Sequence, residues 1–299
     1  MIGELQARSG VEIRENVPLS ACTSLRLGGP ADYFAEPDSP EALTRLLSAA
    51  RELGLPVTVI GRGSNLLVRD GGIRGLVIRI GRPMSALTRD GLTVTAGAGA
   101  TLGELARFAA QHSLAGLAFA AGIPGSVGGG TVMNAGAYGG ELGERIVRAE
   151  GVDLDGAPFD LTNAALGFGY RHSVLQDAVP PKIVTRVTFA LQPGDQAEIE
   201  AEMAELGRRR AEKQPLNVPS AGSAFKRPAG YFAAALIDQC GLKGYAVGGA
   251  SVSEKHAGFL ISQGGTAADF ERLMAEVASR VEAEIGVRLE PEIRVLGEP

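Results

Sequence analysis

The chain has 299 residues, 45% of them hydrophobic and 21% charged, with a formal net charge of −5. That balance is ordinary for a globular protein with a sizeable core and gives room for about two or three domains. It excludes nucleic acid as the main partner, since a phosphate backbone calls for a basic face, and no apolar run approaches the ~20 residues that span a bilayer.

Met1 to Gln6 has neither the basic nor the apolar region of a secretory leader. Only Cys22 and Cys240 occur, so a reducing, cytoplasmic setting is expected rather than a disulfide framework. His112, His172 and His256 without clustered cysteines leave little material for a metal site, and none is expected.

In chain order, Leu43, Leu46, Leu47, Ala50 and Leu53 fall at helical spacing within residues 38–53, and Pro56 follows. Short β-rich runs are expected at 56–60, 76–80 and 92–98. Thr101-Leu102-Gly103-Glu104 is a capping box that opens a helix to about His112. Ten glycines then lie between Gly116 and Gly143. Strands are expected at 146–154 and 182–191, the second alternating Ile183, Thr185, Val187, Phe189 and Leu191. From Asp195 the charge density rises through Arg208–Lys213 and a helix is expected, then a linker at 214–219 and a helix near 231–240. A clear helix spans 267–285 with Phe270, Leu273, Met274, Val277, Val281 and Ile285 inward, and a strand at 288–296 closes the chain.

Two segments read as the sides of a cradle for a dinucleotide's phosphates. The first is Gly61-Arg62-Gly63-Ser64-Asn65-Leu66-Leu67-Val68, set between apolar runs. The second runs from Ala121-Gly122-Ile123-Pro124-Gly125-Ser126-Val127-Gly128-Gly129 to Asn134-Ala135-Gly136-Ala137. Glycine-bearing turns bring main-chain N–H groups close to an anion. Neither segment is a P-loop or a Rossmann fingerprint. Gly97-Ala98-Gly99-Ala100-Thr101-Leu102-Gly103 imitates the fingerprint, but its third glycine is one position late and no acidic residue follows ~20 positions on. It is read as a tight strand-to-helix turn.

The order of pieces along nearly the whole chain resembles the UDP-N-acetylenolpyruvoylglucosamine reductases. The series is Thr23-Ser24-Leu25-Arg26-Leu27-Gly28-Gly29-Pro30-Ala31, the two glycine-bearing segments, Gly169-Tyr170-Arg171-His172-Ser173, Pro219-Ser220-Ala221-Gly222-Ser223-Ala224-Phe225-Lys226, Leu242-Lys243-Gly244, and Glu290-Pro291-Glu292-Ile293-Arg294. The resemblance implies an α+β fold of the vanillyl-alcohol-oxidase/PCMH type, with two FAD-binding subdomains (1–82 and 83–195) and a C-terminal α+β substrate-binding domain (196–299). It implies FAD as cofactor and NADPH as reductant. The product is UDP-N-acetylmuramate for peptidoglycan synthesis, formed by hydride addition at C3 of an enolpyruvyl group and protonation at C2.

The residues suit that chemistry. Hydride addition beside a carboxylate builds enolate-like charge, which needs a cation near the carboxylate and a proton donor near C2. Arg171 can grip a carboxylate with its planar fork, and the resemblance assigns it there. Taken alone it reads as a surface arginine. The resemblance makes Ser223 the proton donor, helped by a cation such as Lys213, Lys226 or Arg227, and places Glu292 beside the intermediate. Lys213 and His256 match positions directed at the substrate, and Tyr170 either packs near the sugar or joins the core. Asn134 either bonds the flavin ring or caps a turn. The cradle residues expected to hold FAD are Gly61, Arg62, Gly63, Ser64, Asn65 and Leu66, with Ala121, Gly122, Ile123, Pro124, Gly125, Gly128, Gly129, Asn134, Gly136 and Ala137.

Arg227 and Gly258 stand where many members carry asparagine. Only seven residues separate Pro228 from Leu236, so the chain resembles the shorter subtype, which lacks a tyrosine-bearing loop. The first cradle segment contains no His or Cys, so FAD is expected to be noncovalent. Partners are expected to be a nucleotide-sugar substrate and NADPH, acting on a monomer. Two other readings stay open here: another noncovalent FAD oxidoreductase on the same fold, and a noncatalytic flavin- or nucleotide-sugar-binding protein.

Overall fold

The computed structural model describes residues 1–299. Residues 1–15, 33–62 and 75–209 form one compact unit; 16–32, 63–74 and 210–299 form the other.

The first unit is built on a five-stranded antiparallel sheet in the order Pro158–Thr162, Ile146–Asp153, Lys182–Ala190, Thr93–Gly97, Leu87–Asp90. Along Lys182–Ala190, Ile183, Thr185, Val187 and Phe189 are all buried, as a period of two requires. Val57–Ile60 pairs in parallel with Ile73–Arg79, Val57 facing Leu76 and Ile60 facing Arg79. The helix Pro40–Glu52 buries Leu43, Leu46, Leu47 and Ala50. Its start is set by Pro40 and by the Ser39 hydroxyl, which accepts from the Ala42 N–H at 3.2 Å. Both bonds of the expected capping box are present on Leu102–Gln111. The Thr101 hydroxyl accepts from the Glu104 N–H at 3.0 Å, and the Glu104 carboxylate accepts from the Thr101 N–H at 2.8 Å. The Thr101 main-chain and hydroxyl donors hold the Glu104 carboxyl below its ordinary range. The preceding turn spends its amides internally, Gly99 N–H on the Met84 carbonyl and Ala100 N–H on that of Gly97, as a structural turn does.

The charged helix is Gln196–Lys213, starting where the charge density begins to rise. Only Ile199 along it is buried, so no apolar stripe marks its first turns.

The second unit has a four-stranded antiparallel sheet in the order Ser220–Ser223, Phe259–Ser262, Ala250–Val252, Ala246–Val247. The helix Ala267–Ile285 presents Phe270, Leu273, Met274, Val277 and Val281 to a core shared with Leu67, Phe225, Ile237 and Leu260. The Asp70 carboxylate accepts from the N–H groups of Ala267 and Ala268 at 2.9 and 3.0 Å, satisfying orphan donors of the first turn. The terminal strand is shorter than expected. It is Arg294–Leu296, paired in parallel with Leu66–Val68. Pro291 has no N–H for a ladder, and it forms an isolated bridge with Phe225 instead of a strand pair. Glu292 therefore lies just before the strand instead of within it.

No helix is long and apolar enough to cross a membrane.

Candidate functional site

Within the first unit, Gly61 closes the strand Val57–Ile60 and meets the second glycine-bearing segment at Ser126. A Cβ on Gly61 would stand 2.7 Å from the Ser126 Oγ, a separation that no side chain tolerates without displacing the serine. Ser126 is buried, and its Oγ accepts from the Gly129 N–H at 3.3 Å, capping the short helix Val127–Val132. Neither Gly61–Arg62 nor 121–129 carries a carboxylate, and Arg62 is exposed. The N–H groups of Ile123, Gly125, Val127 and Gly128 are spent on protein carbonyls, so what suits a diphosphate here is close main-chain approach at Gly61 beside the exposed Arg62 cation.

Arg171 is tied to the same region. It sits at φ +53 in the tight turn closed by Gly169 and His172. Its guanidinium donates to the Gly136 carbonyl at 3.0 Å and lies 5.1 Å from the centre of the half-exposed Tyr170 ring. Three other residues hold the turn. The Asn134 amide donates to the carbonyl of Gly169 and to the Glu141 carboxylate, both at 2.9 Å, and its oxygen accepts from the Gly143 N–H at 2.8 Å. Gln176 donates to the carbonyls of Arg171 and Val132 at 2.9 and 3.0 Å. The Ser173 hydroxyl donates to the Val132 carbonyl at 2.7 Å. Gln176 has no signature in the sequence, because any main-chain carbonyl can serve it.

Within the second unit, Ser223 ends the strand Ser220–Ser223 and is exposed. Ser220 faces Ile261 and Ser223 faces Phe259, so three steps on one strand meet two on the other. Gly222, at φ +79, takes up the extra residue as a bulge. The next residue carries two main-chain bonds: the Ala224 N–H donates to the Gly258 carbonyl at 2.9 Å, and the Ala224 carbonyl accepts from the Glu292 N–H at 2.8 Å. The backbone of Glu292 is thereby joined to the residue that follows Ser223. The Glu292 carbonyl accepts from the Asn65 amide at 3.0 Å. Ser24, in the first motif of the resemblance, donates its hydroxyl to the Ser220 carbonyl at 2.6 Å and its N–H to that of Gly63 at 3.2 Å.

His256 flanks the same strand pair. Its Nδ1 accepts from the Gly258 N–H at 3.1 Å, and its ring meets Phe259 edge-on at 5.0 Å. Burial first, with some repulsion from Lys243, holds its pKa below the ordinary value. With Nδ1 accepting, Nε2 carries the proton of the neutral ring and points a donor away from the sheet's own bonds. Lys226 pairs with Glu290 at 3.5 Å, and the Arg227 guanidinium lies 4.5 Å from the centre of the exposed Phe232 ring. Lys213 stands exposed at the end of its helix. Gly63, Ser64, Asn65 and Leu66 fold in this unit, whereas Gly61 and Arg62 fold in the first.

Fold and segments together define an α+β FAD-binding protein. Residues 31–162 match the FAD binding domain, and residues 214–296 match the C-terminal domain of UDP-N-acetylenolpyruvoylglucosamine reductase. The chain belongs to the UDP-N-acetylenolpyruvoylglucosamine reductase family. It is 50% identical over 289 residues to the reductase of Levilactobacillus brevis, covering 96% of this chain and 94% of that one. It is 48% identical over 299 residues to that of Streptococcus uberis, covering 100% and 97%. The crystal structure of the Thermus caldophilus enzyme superposes with a TM-score of 0.80 at 38% identity, covering 96% of this chain and 99% of that one.

Proposed function

We infer that this chain reduces UDP-N-acetyl-3-O-(1-carboxyvinyl)-glucosamine to UDP-N-acetylmuramate in peptidoglycan precursor synthesis, with noncovalent FAD as cofactor and NADPH as reductant. The observation that supports the reading is the bond from the Glu292 N–H to the Ala224 carbonyl, which joins the backbone of Glu292 to the residue after the serine expected to donate the proton.

The two glycine-bearing segments would hold the cofactor's phosphates through main-chain N–H groups. What bound FAD supplies is two-electron chemistry, hydride from NADPH to C3 of the enolpyruvyl group. Arg171 opposes the substrate carboxylate, where negative charge grows as hydride arrives. Ser223 delivers the proton to C2, its weak acidity raised by a neighbouring cation. Glu292 donates a hydrogen bond or orients a donor to the same charge. His256, Lys213, Lys226, Arg227 and Tyr170 serve the nucleotide-sugar. A monomeric, cytoplasmic enzyme with small-molecule partners suits two cysteines that form no disulfide and an acidic balance.

The test is the visible spectrum of purified holoprotein under anaerobic NADPH. The flavin bands bleach and the nucleotide-sugar restores them. Failure to bleach favours a noncatalytic binder. Bleaching reversed by oxygen but not by the nucleotide-sugar favours another oxidoreductase.

A further inference from the structure

The segment that carries Glu292 is gripped from two sides within the second unit. Its N–H donates to the Ala224 carbonyl at 2.8 Å. On the other side its carbonyl accepts from Asn65 Nδ2 at 3.0 Å, and the Asn65 main-chain carbonyl accepts from the Arg294 N–H at 3.0 Å. Immediately after these contacts the parallel ladder begins, Leu66 facing Arg294 and Leu67 facing Val295. Main-chain ladder bonds hold residues 294–296. The carbonyl of residue 292, ahead of the ladder, depends on the Asn65 carboxamide.

We propose that Asn65 is a positioning residue that sets Glu292 for the proton-delivery half of the reaction. Its place in the first glycine-bearing segment suggests a cofactor ligand, yet its amide is turned toward the C-terminal segment. Losing that one bond leaves the strand pair and the Glu292 N–H bond to the Ala224 carbonyl in place and removes one of the two grips on residue 292, so the chain folds while the setting of the carboxyl shifts. A displacement of about 1 Å at a reacting centre costs on the order of a hundredfold in rate. The same segment thus serves two ends: Gly61 shapes the cradle in the first unit, and Asn65 aims Glu292 in the second.

The inference rests on the role given to Glu292 above, and the experiment separates the two. The proteins are FAD-loaded wild type, Asn65→Ala, Glu292→Ala and the double variant. Flavin reduction by NADPH and reoxidation by substrate are followed separately in anaerobic stopped flow, and amide exchange is followed across residues 290–296. Asn65→Ala is expected to lower the ratio of reoxidation to reduction rate by ~10- to 100-fold. It is also expected to speed exchange at the Glu292 amide while that of Arg294 stays protected. The double variant is expected to be no slower than the slower single one, because Asn65 acts through Glu292. Additive losses, or equal slowing of both half-reactions, overturn the proposal. If Asn65→Ala keeps the wild-type ratio while Glu292→Ala is slow, the clamp alone falls. If Glu292→Ala is as fast as wild type, the role of Glu292 fails and the clamp with it. Should Asn65→Ala not fold, Asn65→Asp keeps the volume, removes the donor and carries the same test.

Discussion

The Arg171 guanidinium is seated on the main chain of the second glycine-bearing segment, its Nη2 donating to the Gly136 carbonyl at 3.0 Å. The same arginine adopts φ +53, a conformation an unbranched residue accepts only when its surroundings hold it. The aim of the fork is therefore built into the turn. Arg171→Lys is expected to slow reoxidation by substrate at least ~10-fold, because a point charge does not reproduce a planar fork. Gln176→Leu removes the donor to the Arg171 carbonyl and is expected to act in the same direction, more weakly. Stopped-flow reoxidation checks both, and a wild-type rate in Arg171→Lys removes the bidentate clamp.

Ser223→Ala is expected to leave flavin reduction by NADPH nearly intact and to slow reoxidation by substrate at least ~10²-fold, the low end for losing a positioned acid. Collapse of the first half-reaction instead would show that the serine shapes the cofactor site. Two fast half-reactions would remove it from catalysis.

Glu292→Gln is expected to retain more activity than Glu292→Ala, since the amide keeps a donor where a neutral carboxyl would have one. Stopped-flow reoxidation by substrate in the two variants checks the order. Equal inactivity of the two variants points to an ionised or purely structural role.

Gly61→Val is expected to strip the flavin. The first side-chain carbon would stand 2.7 Å from the Ser126 Oγ, pushing the hydroxyl off the Gly129 N–H that it caps, and the branched side chain would fill the cradle. The ratio of visible to ultraviolet absorbance in the purified variant reads this directly. A folded variant with full flavin content places the phosphates elsewhere.

His256 gives a pH dependence of stability. Burial holds its folded pKa below the unfolded value of about 6.5. As pH falls through that region the unfolded chain takes up a proton that the folded chain refuses, so stability is lost on acidification and regained as pH rises. Between about pH 7 and 5 the melting temperature is expected to fall less in His256→Gln than in wild type. Parallel curves would show that the ring titrates alike in both states.

Where periodicity was strong, the structure was legible. The helix Ala267–Ile285 announced its bounds through apolar positions three and four apart, and Thr101 with Glu104 marked the start of Leu102–Gln111. Gln196–Lys213 was legible from its charge and not from an apolar stripe, since Ile199 is the residue it buries. The strands Ser220–Ser223 and Ala250–Val252 are too short and too rich in serine and alanine for alternation to speak. Nothing local marks residues 63–74 as folding with 210–299, since that partnership is a matter of long-range contacts. The roles expected of Arg171, Ser223 and Glu292 came from the resemblance, since as bare residue types they also read as a surface arginine, a turn serine and an edge carboxylate. The bonds that aim two of them, from Gln176 and Asn65, end on main-chain carbonyls, which leave no trace in a residue pattern.

The bulge at Gly222 makes the serine's availability a question of counting. Ala221 and Ala224 are buried on either side of the exposed Ser223, and the strand reaches that arrangement only because it carries one residue more than its partner. Shortening 220–223 by one residue would regularise the ladder and turn the hydroxyl to the opposite face, without altering a single side chain. The segment is expected to accept substitutions at its flanks far more readily than a one-residue deletion, and a deletion scan read out by reoxidation rate would expose that asymmetry.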